Sequence, residues 1–78
     1  MKQNEQVLVH LLVHEKITSL EAIEEYGILR LGARIWELKK SGWPIKTLLR
    51  CGYSRNGEKM VYAEYRMENV EKARSAWR

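Results

Sequence analysis

Ile17-Thr-Ser-Leu-Glu-Ala-Ile-Glu-Glu-Tyr-Gly-Ile-Leu-Arg-Leu-Gly-Ala-Arg-Ile-Trp-Glu-Leu-Lys-Lys-Ser-Gly-Trp-Pro-Ile45 is the stretch on which the fold turns. Thr18 and Glu21 have the spacing of a capping box, in which the hydroxyl accepts from the backbone N–H three residues on and the carboxylate reaches back to the cap. A short helix should follow, with Ile17 and Ala22 as a small staple at its start and Leu20, Ile23 and Tyr26 turned inward. Gly27 ends it, because a left-handed terminal residue costs least as glycine. Leu31, Ile35 and Leu38 then recur at helical spacing until Ser41-Gly42 and Pro44 stop the pattern. Two helices joined by a tight glycine turn are expected.

The flanking sequence supplies what such a pair must pack against. Upstream, Val7, Leu8, Leu11 and Leu12 predict a helix from about Asn4 to Glu15, with Asn4 as its cap. Val9 and Val13 widen its apolar surface to a second side, which calls for another cover. Downstream the period changes to two: Ile45, Thr47, Leu49 and Cys51 alternate with Lys46, Leu48 and Arg50. Val61, Ala63 and Tyr65 alternate likewise with Met60, Tyr62 and Glu64 between Lys59 and Met67. Ser54-Arg55-Asn56-Gly57 between these runs has turn chemistry, so the two strands form a hairpin. Val70, Ala73 and Trp77 return to helical spacing and predict a short helix over Glu68–Arg78 that folds back on the core. The fold class is therefore α+β, with residues 1–78 as one domain.

Size and charge narrow the functions available. A chain of 78 residues buries only about 60% of its unfolded surface, which leaves little room for an enclosed catalytic chamber beside a core. The longest apolar run, Val7 to Val13, is interrupted by His10 and falls far short of the ~20 residues that cross a bilayer, so no membrane partner is expected. A lone Cys51 and the lack of a leader pattern favour a reducing, cytoplasmic setting. The net charge is +4 and unevenly spread. From Leu29 to Arg66 there are nine basic residues against three glutamates, whereas Met1 to Ile28 holds two against five. An anionic partner would meet the middle of the chain.

The element order of helix, short helix, glycine turn, helix and hairpin resembles a winged helix-turn-helix, with the third helix as reader and the hairpin as wing. More narrowly, residues 17–45 resemble the helix-turn-helix domain of small phage and prophage proteins. The Thr18-Ser19-Leu20-Glu21-Ala22 opening, the Tyr26-Gly27 turn and the Arg34-Ile35-Trp36-Glu37-Leu38 run ending at Gly42 carry that likeness. The resemblance implies a DNA-binding protein, acting in transcription regulation or as a recombination or replication accessory factor.

If Leu31, Ile35 and Leu38 face inward, then Leu29, Ala33, Trp36, Glu37 and Lys40 face outward, with Arg30 and Arg34 along one flank. Arg30, placed in the first turn, could bond both acceptors of a guanine. Lys39 and Lys40 either meet phosphates or complement the negative end of the helix. Arg34 either reads the groove or pairs with Glu21, Glu24 or Glu25. Lys46 at the start of the hairpin, Arg55 at its tip and Lys59 just beyond complete the candidate DNA contacts. Tyr53 is either a stacking group or strand-end packing, and Trp43 should pack beneath the hairpin. Gly32 inside the reader costs about 1 kcal/mol relative to alanine unless close approach rewards it.

Enzyme signals are thin. His10 and His14 are expected at the surface with no third metal ligand, Cys51 as an inert core thiol, and the chain has no aspartate, so neither catalysis nor a cofactor is expected. A second class remains open: a docking module or inhibitor that binds a host or phage protein, since Trp36 beside Glu37 would suit a protein hot spot better than a phosphate surface. The extra apolar side of the first helix, with the tail helix, further suggests a homodimer.

Overall fold

In the computed structural model, which describes residues 2–77, the order is α1 (Gln3–His14), β1 (Lys16–Thr18), α2 (Ser19–Tyr26), α3 (Leu31–Lys40), β2 (Ile45–Tyr53), β3 (Lys59–Met67) and α4 (Val70–Ala76). The strands form a three-stranded antiparallel sheet ordered β1-β3-β2, and with the four helices this is an α+β architecture as expected. Arg78, where the expected tail helix closes, lies outside the described residues.

The decisive stretch folds as its chemistry requires. Thr18 Oγ1 accepts from Glu21 N–H at 3.3 Å while the Thr18 N–H donates to Glu21 Oε1 at 2.9 Å, so the capping box is complete. Gly27 takes a left-handed φ of 68°, and its N–H closes α2 on Ile23 O at 2.9 Å. Ile28 is then buried, and Leu31, Ile35 and Leu38 seat α3 on a core that includes Val7, Leu11, Ile17 and Ala22. β2 and β3 pair in register from Ile45 opposite Met67 to Tyr53 opposite Lys59. Their turn is closed by Ser54 and Glu58, with Gly57 at φ 81°.

Several expectations fail for definite reasons. Asn4 is not the cap of α1: it lies within the helix, which starts at Gln3 with Lys2 as cap and the Gln6 N–H on Lys2 O at 3.0 Å. Lys16–Thr18, too short to show alternation, is a strand, because it completes the sheet beside β3. Leu20 and Ile23 do not turn inward. Leu20 is 63% exposed; Tyr26 packs against the core as expected, and Ala22, four residues before it, completes the inward line of α2, where a small side chain lets the helix close on the core.

That line also removes His10 from the surface. It is 5% exposed, with Nδ1 2.6 Å from the Tyr26 hydroxyl, while His14 stays exposed. Burial, then the neighbouring His14, lower the His10 pKa against the opposing pull of the Glu21 and Glu25 carboxylates. Cys51 shares the strand face of buried Ile45, as its parity predicts, yet is exposed. The hairpin runs past the helical layer, so the distal half of that face has no cover. Trp43 does not lie beneath the hairpin: it packs at the edge of the core, its ring 6.4 Å from that of Trp77. The tail helix is shorter than expected, with Ala73 buried and the Arg74 Nε donating to Leu12 O at 2.6 Å.

Candidate nucleic-acid interface

Helical geometry fixes what α3 presents to solvent. With residues 31, 35 and 38 buried, the outer side carries Leu29 just before the helix, then Ala33, Trp36 and Lys40. Leu29 is 79% and Trp36 62% exposed. Lys40 Nζ stands 4.9 Å from the centre of the Trp36 ring, a cation–π contact that holds the ammonium on this side. Ala33 is half-buried and small, so the middle of the face is shallow.

The two flanks of α3 differ. Arg30 is not in the first turn: it is the cap residue, with φ −114° and ψ 59°, and its carbonyl accepts from the Ala33 and Arg34 N–H groups. Its exposed guanidinium therefore stands at the mouth of the helix, where free N–H groups also point. Arg34 pairs with neither Glu21, Glu24 nor Glu25. Its Nε lies 2.9 Å from Glu37 Oε1, one turn along its own helix, and its Nη1 reaches Gln3 Oε1 of α1 at 3.4 Å. The pairing matters for the face, because it neutralises the acid that would repel a phosphate. On the other flank Lys39 Nζ donates to Thr47 Oγ1 of β2 at 3.4 Å.

Gly32 lies on that same flank, and a Cβ added there would come 3.7 Å from the Tyr65 hydroxyl, an ordinary contact. Packing within the chain does not require a glycine at this position. Arg55 and Lys59 are exposed at and just past the hairpin tip, and Lys59 lies on the sheet face that α3 covers near the base of the hairpin. Leu49, Val61 and Tyr53 share that face and are also exposed, Leu49 at 76%.

The structure thus brings together Leu29, Arg30, Ala33 and Lys40 on one side of α3, with Arg34 and Lys39 on its flanks and Arg55 and Lys59 along the hairpin. It separates Lys46 from them. Lys46 has opposite parity to buried Ile45 and points from the back of the sheet, in register with Arg66. That back face also holds a cluster that sequence reasoning missed. Glu64, 6% exposed, accepts from Arg50 Nε and Nη2 at 3.3 and 3.0 Å and from Arg66 Nη1 at 3.2 Å, all on Oε2. Burial opposes ionisation here, but the hydrogen bonds from Arg50 and Arg66 outweigh it and hold the carboxyl below the usual glutamate range. The parity of Arg50, Glu64 and Arg66 was readable; their pairing needed the register of the hairpin.

Among the described residues no group of three or more His, Cys or Glu side chains could hold a metal ion, and no helix is long and apolar enough to cross a membrane. A family model described as a winged helix-turn-helix domain matches residues 2–70. No curated protein and no solved structure matches the chain.

Proposed function

The chain belongs to the winged helix-turn-helix family, and from that premise we propose that it binds duplex DNA, with α3 in the major groove and the β2–β3 hairpin as a wing on the flanking backbone or minor groove. The observation that carries this reading is the makeup of the α3 face. Its cations, Arg30 and Lys40, have no acidic partner among the described residues, while its one acid is taken up by Arg34. Arg30 reads a base edge, Leu29 and Ala33 offer apolar contact to a thymine methyl, and Lys39 and Lys40 meet phosphates. Arg55 and Lys59 extend the contact along the wing. The resemblance in residues 17–45 favours a phage-type regulator of transcription or an accessory factor in recombination or replication.

The test compares two variants on a panel of duplexes that differ one base pair at a time. Arg30→Ala should relax preference at one position, by the ~1–3 kcal/mol of a good bidentate contact, whereas Lys40→Ala should weaken all duplexes alike. Unchanged affinity in both variants would remove α3 from the groove.

One feature favours a second reading. Leu29 and Trp36 on α3, with Leu49 and Val61 on the wing, leave more exposed apolar surface than phosphate contact needs. A docking module for a host or phage protein would use them, and Trp36→Ala would then abolish partner capture. A homodimer through α1 and α4 is also proposed: Val13 is 60% exposed, and the Arg74 bond to Leu12 O holds α4 beside that helix. Pairing two modules would offset the small contact of one, roughly 600–1,000 Å².

A further inference from the structure

On the back of the sheet, Lys16 of β1, Arg66 of β3 and Lys46 of β2 stand directly opposite one another in register, one basic side chain from each strand. Their neighbours Ile17, Ile45 and Met67 point into the core, so these three point away from it. Like charges placed side by side across strands destabilise a sheet. Lysines on the edge strands β1 and β2 would by themselves be understandable as guards against stray strand pairing, but Arg66 lies on the central strand, where there is no edge to guard.

The acids nearby offset only part of this charge, one carboxylate against Arg50 and the row's own Arg66, and leave Lys16 and Lys46 unpaired. Glu64 is occupied by Arg50 and Arg66, and Lys16 acts on it only through space. The Glu21 carboxylate is held by the backbone N–H and hydroxyl of Thr18. The side chains of Lys16 and Lys46 are exposed and have no hydrogen bond or ion pair among the described residues. With Arg50 beside the row, four cations surround one buried carboxylate.

We propose that this row is a second phosphate-binding surface, and that it holds the backbone of a second duplex DNA segment while α3 occupies the first. The row spans two strand spacings, about 10 Å. Phosphates recur about every 3.4 Å of axis along one strand, so long lysine and arginine stems on such a row reach two or three in succession. The two surfaces lie on opposite faces of one sheet, since Lys39 meets Thr47 and Gly32 lies by Tyr65 on the α3 side. A straight duplex seated on α3 cannot reach the back, and the second segment must come from elsewhere on the DNA or from another molecule. The proposal rests on the duplex-binding reading of α3, and bridging follows from the two together.

A capture assay separates them. One duplex is fixed to beads, a second carries a fluorophore, and the protein is added at low salt, with binding to a single labelled duplex measured by anisotropy alongside. The intact chain should retain the fluorescent duplex on the beads. The double variant Lys16→Gln/Lys46→Gln should keep single-duplex affinity within about twofold yet lose bridging about tenfold or more, because two of the three cations in the row are gone. Bridging by the double variant at the level of the intact chain overturns the proposal, and would place the second contact in a dimer. Arg30→Ala/Lys40→Ala should instead weaken single-duplex binding. If it does not, while the row variant does, the α3 reading fails and the back face is itself the primary site. Neither lysine supports the core, and a circular dichroism melt matching the intact chain confirms that each variant is folded.

Discussion

Replacing Lys40 and Lys59 together by alanine should change how steeply duplex affinity falls with salt, and the structure sets the size of that change. On α3 and the wing, five cations have no acidic partner among the described residues: Arg30, Lys39, Lys40, Arg55 and Lys59. Arg34 is left out of the phosphate count because Glu37 neutralises it, and Arg30 because it reads a base edge. If each of the other four contacts one phosphate, counterion release gives a log–log slope of about −3.6, at roughly −0.9 per contact. Affinity should then drop about 150-fold between about 50 and 200 mM salt. Removing one cation from the helix and one from the wing should reduce the slope to about −1.8 and the loss to roughly 12-fold. Anisotropy of a labelled duplex at trace concentration, titrated at four or more salt concentrations, measures both slopes. An intact-chain slope shallower than about −2, or equal slopes for the two proteins, would show that these side chains do not sit on phosphates.

Gly32→Ala should raise stability by about 1 kcal/mol, because the helix gains propensity and the added Cβ meets only an ordinary contact with Tyr65; a rise in Tm with lower duplex affinity would mark close approach of the DNA at this position, and a lower Tm would contradict the packing. Glu64→Gln should cost about 1–2 kcal/mol in urea unfolding, a modest figure because Arg50 and Arg66 are partly exposed and can turn to water. The pKa of Glu64 is lowered on folding, so its stabilisation is complete above about pH 4.5 and is lost as pH falls through the folded value. His10 works in the same pH sense for the opposite reason: its folded pKa is below 6.5, the unfolded chain takes up a proton first, and stability declines as pH falls below about 6.5. The drop in Tm between about pH 7.5 and 5.5 should shrink in His10→Gln, and an unchanged drop would assign it to other groups. Light scattering over a concentration series tests the proposed dimer, which Val13→Lys should dissociate; a monomer at every concentration sinks it.

Local chemistry was the legible part of the sequence. Thr18, Glu21 and Gly27 act within a few residues of themselves, so their spacing specified α2 and its end, and the period of Leu31, Ile35 and Leu38 specified the buried side of α3. What failed depended on partners distant in sequence. Size and hydrophobicity point Leu20 and Ile23 inward, but the rotation of α2 follows Ala22, whose small side chain allows close packing that no count of hydrophobic residues registers. Polarity points His10 outward, and it is buried because Tyr26, sixteen residues on, supplies the hydrogen bond that makes burial tolerable. Cys51 followed the correct parity to the wrong environment, since alternation tells which face a residue occupies but not how far the helical layer extends over it.

The same distinction explains why the α3 face could be listed in advance and the back face could not. The outward residues of α3 follow from a single helix and its buried stripe. The row of Lys16, Arg66 and Lys46 exists only once three strands from distant parts of the chain are aligned, one of them only three residues long. By chain position alone Lys46 is one more cation near the reader, whereas its parity opposite to buried Ile45 directs it to the other side of the sheet. A positive segment of chain is thus divided by the fold into two surfaces that face apart, one on α3 and the wing and one behind β3, with Glu37 and Glu64 each tied to arginine within its own surface. That division makes one straight duplex insufficient to meet all of the exposed cations at once, and makes the number of duplex segments held per chain a measurable property of the protein.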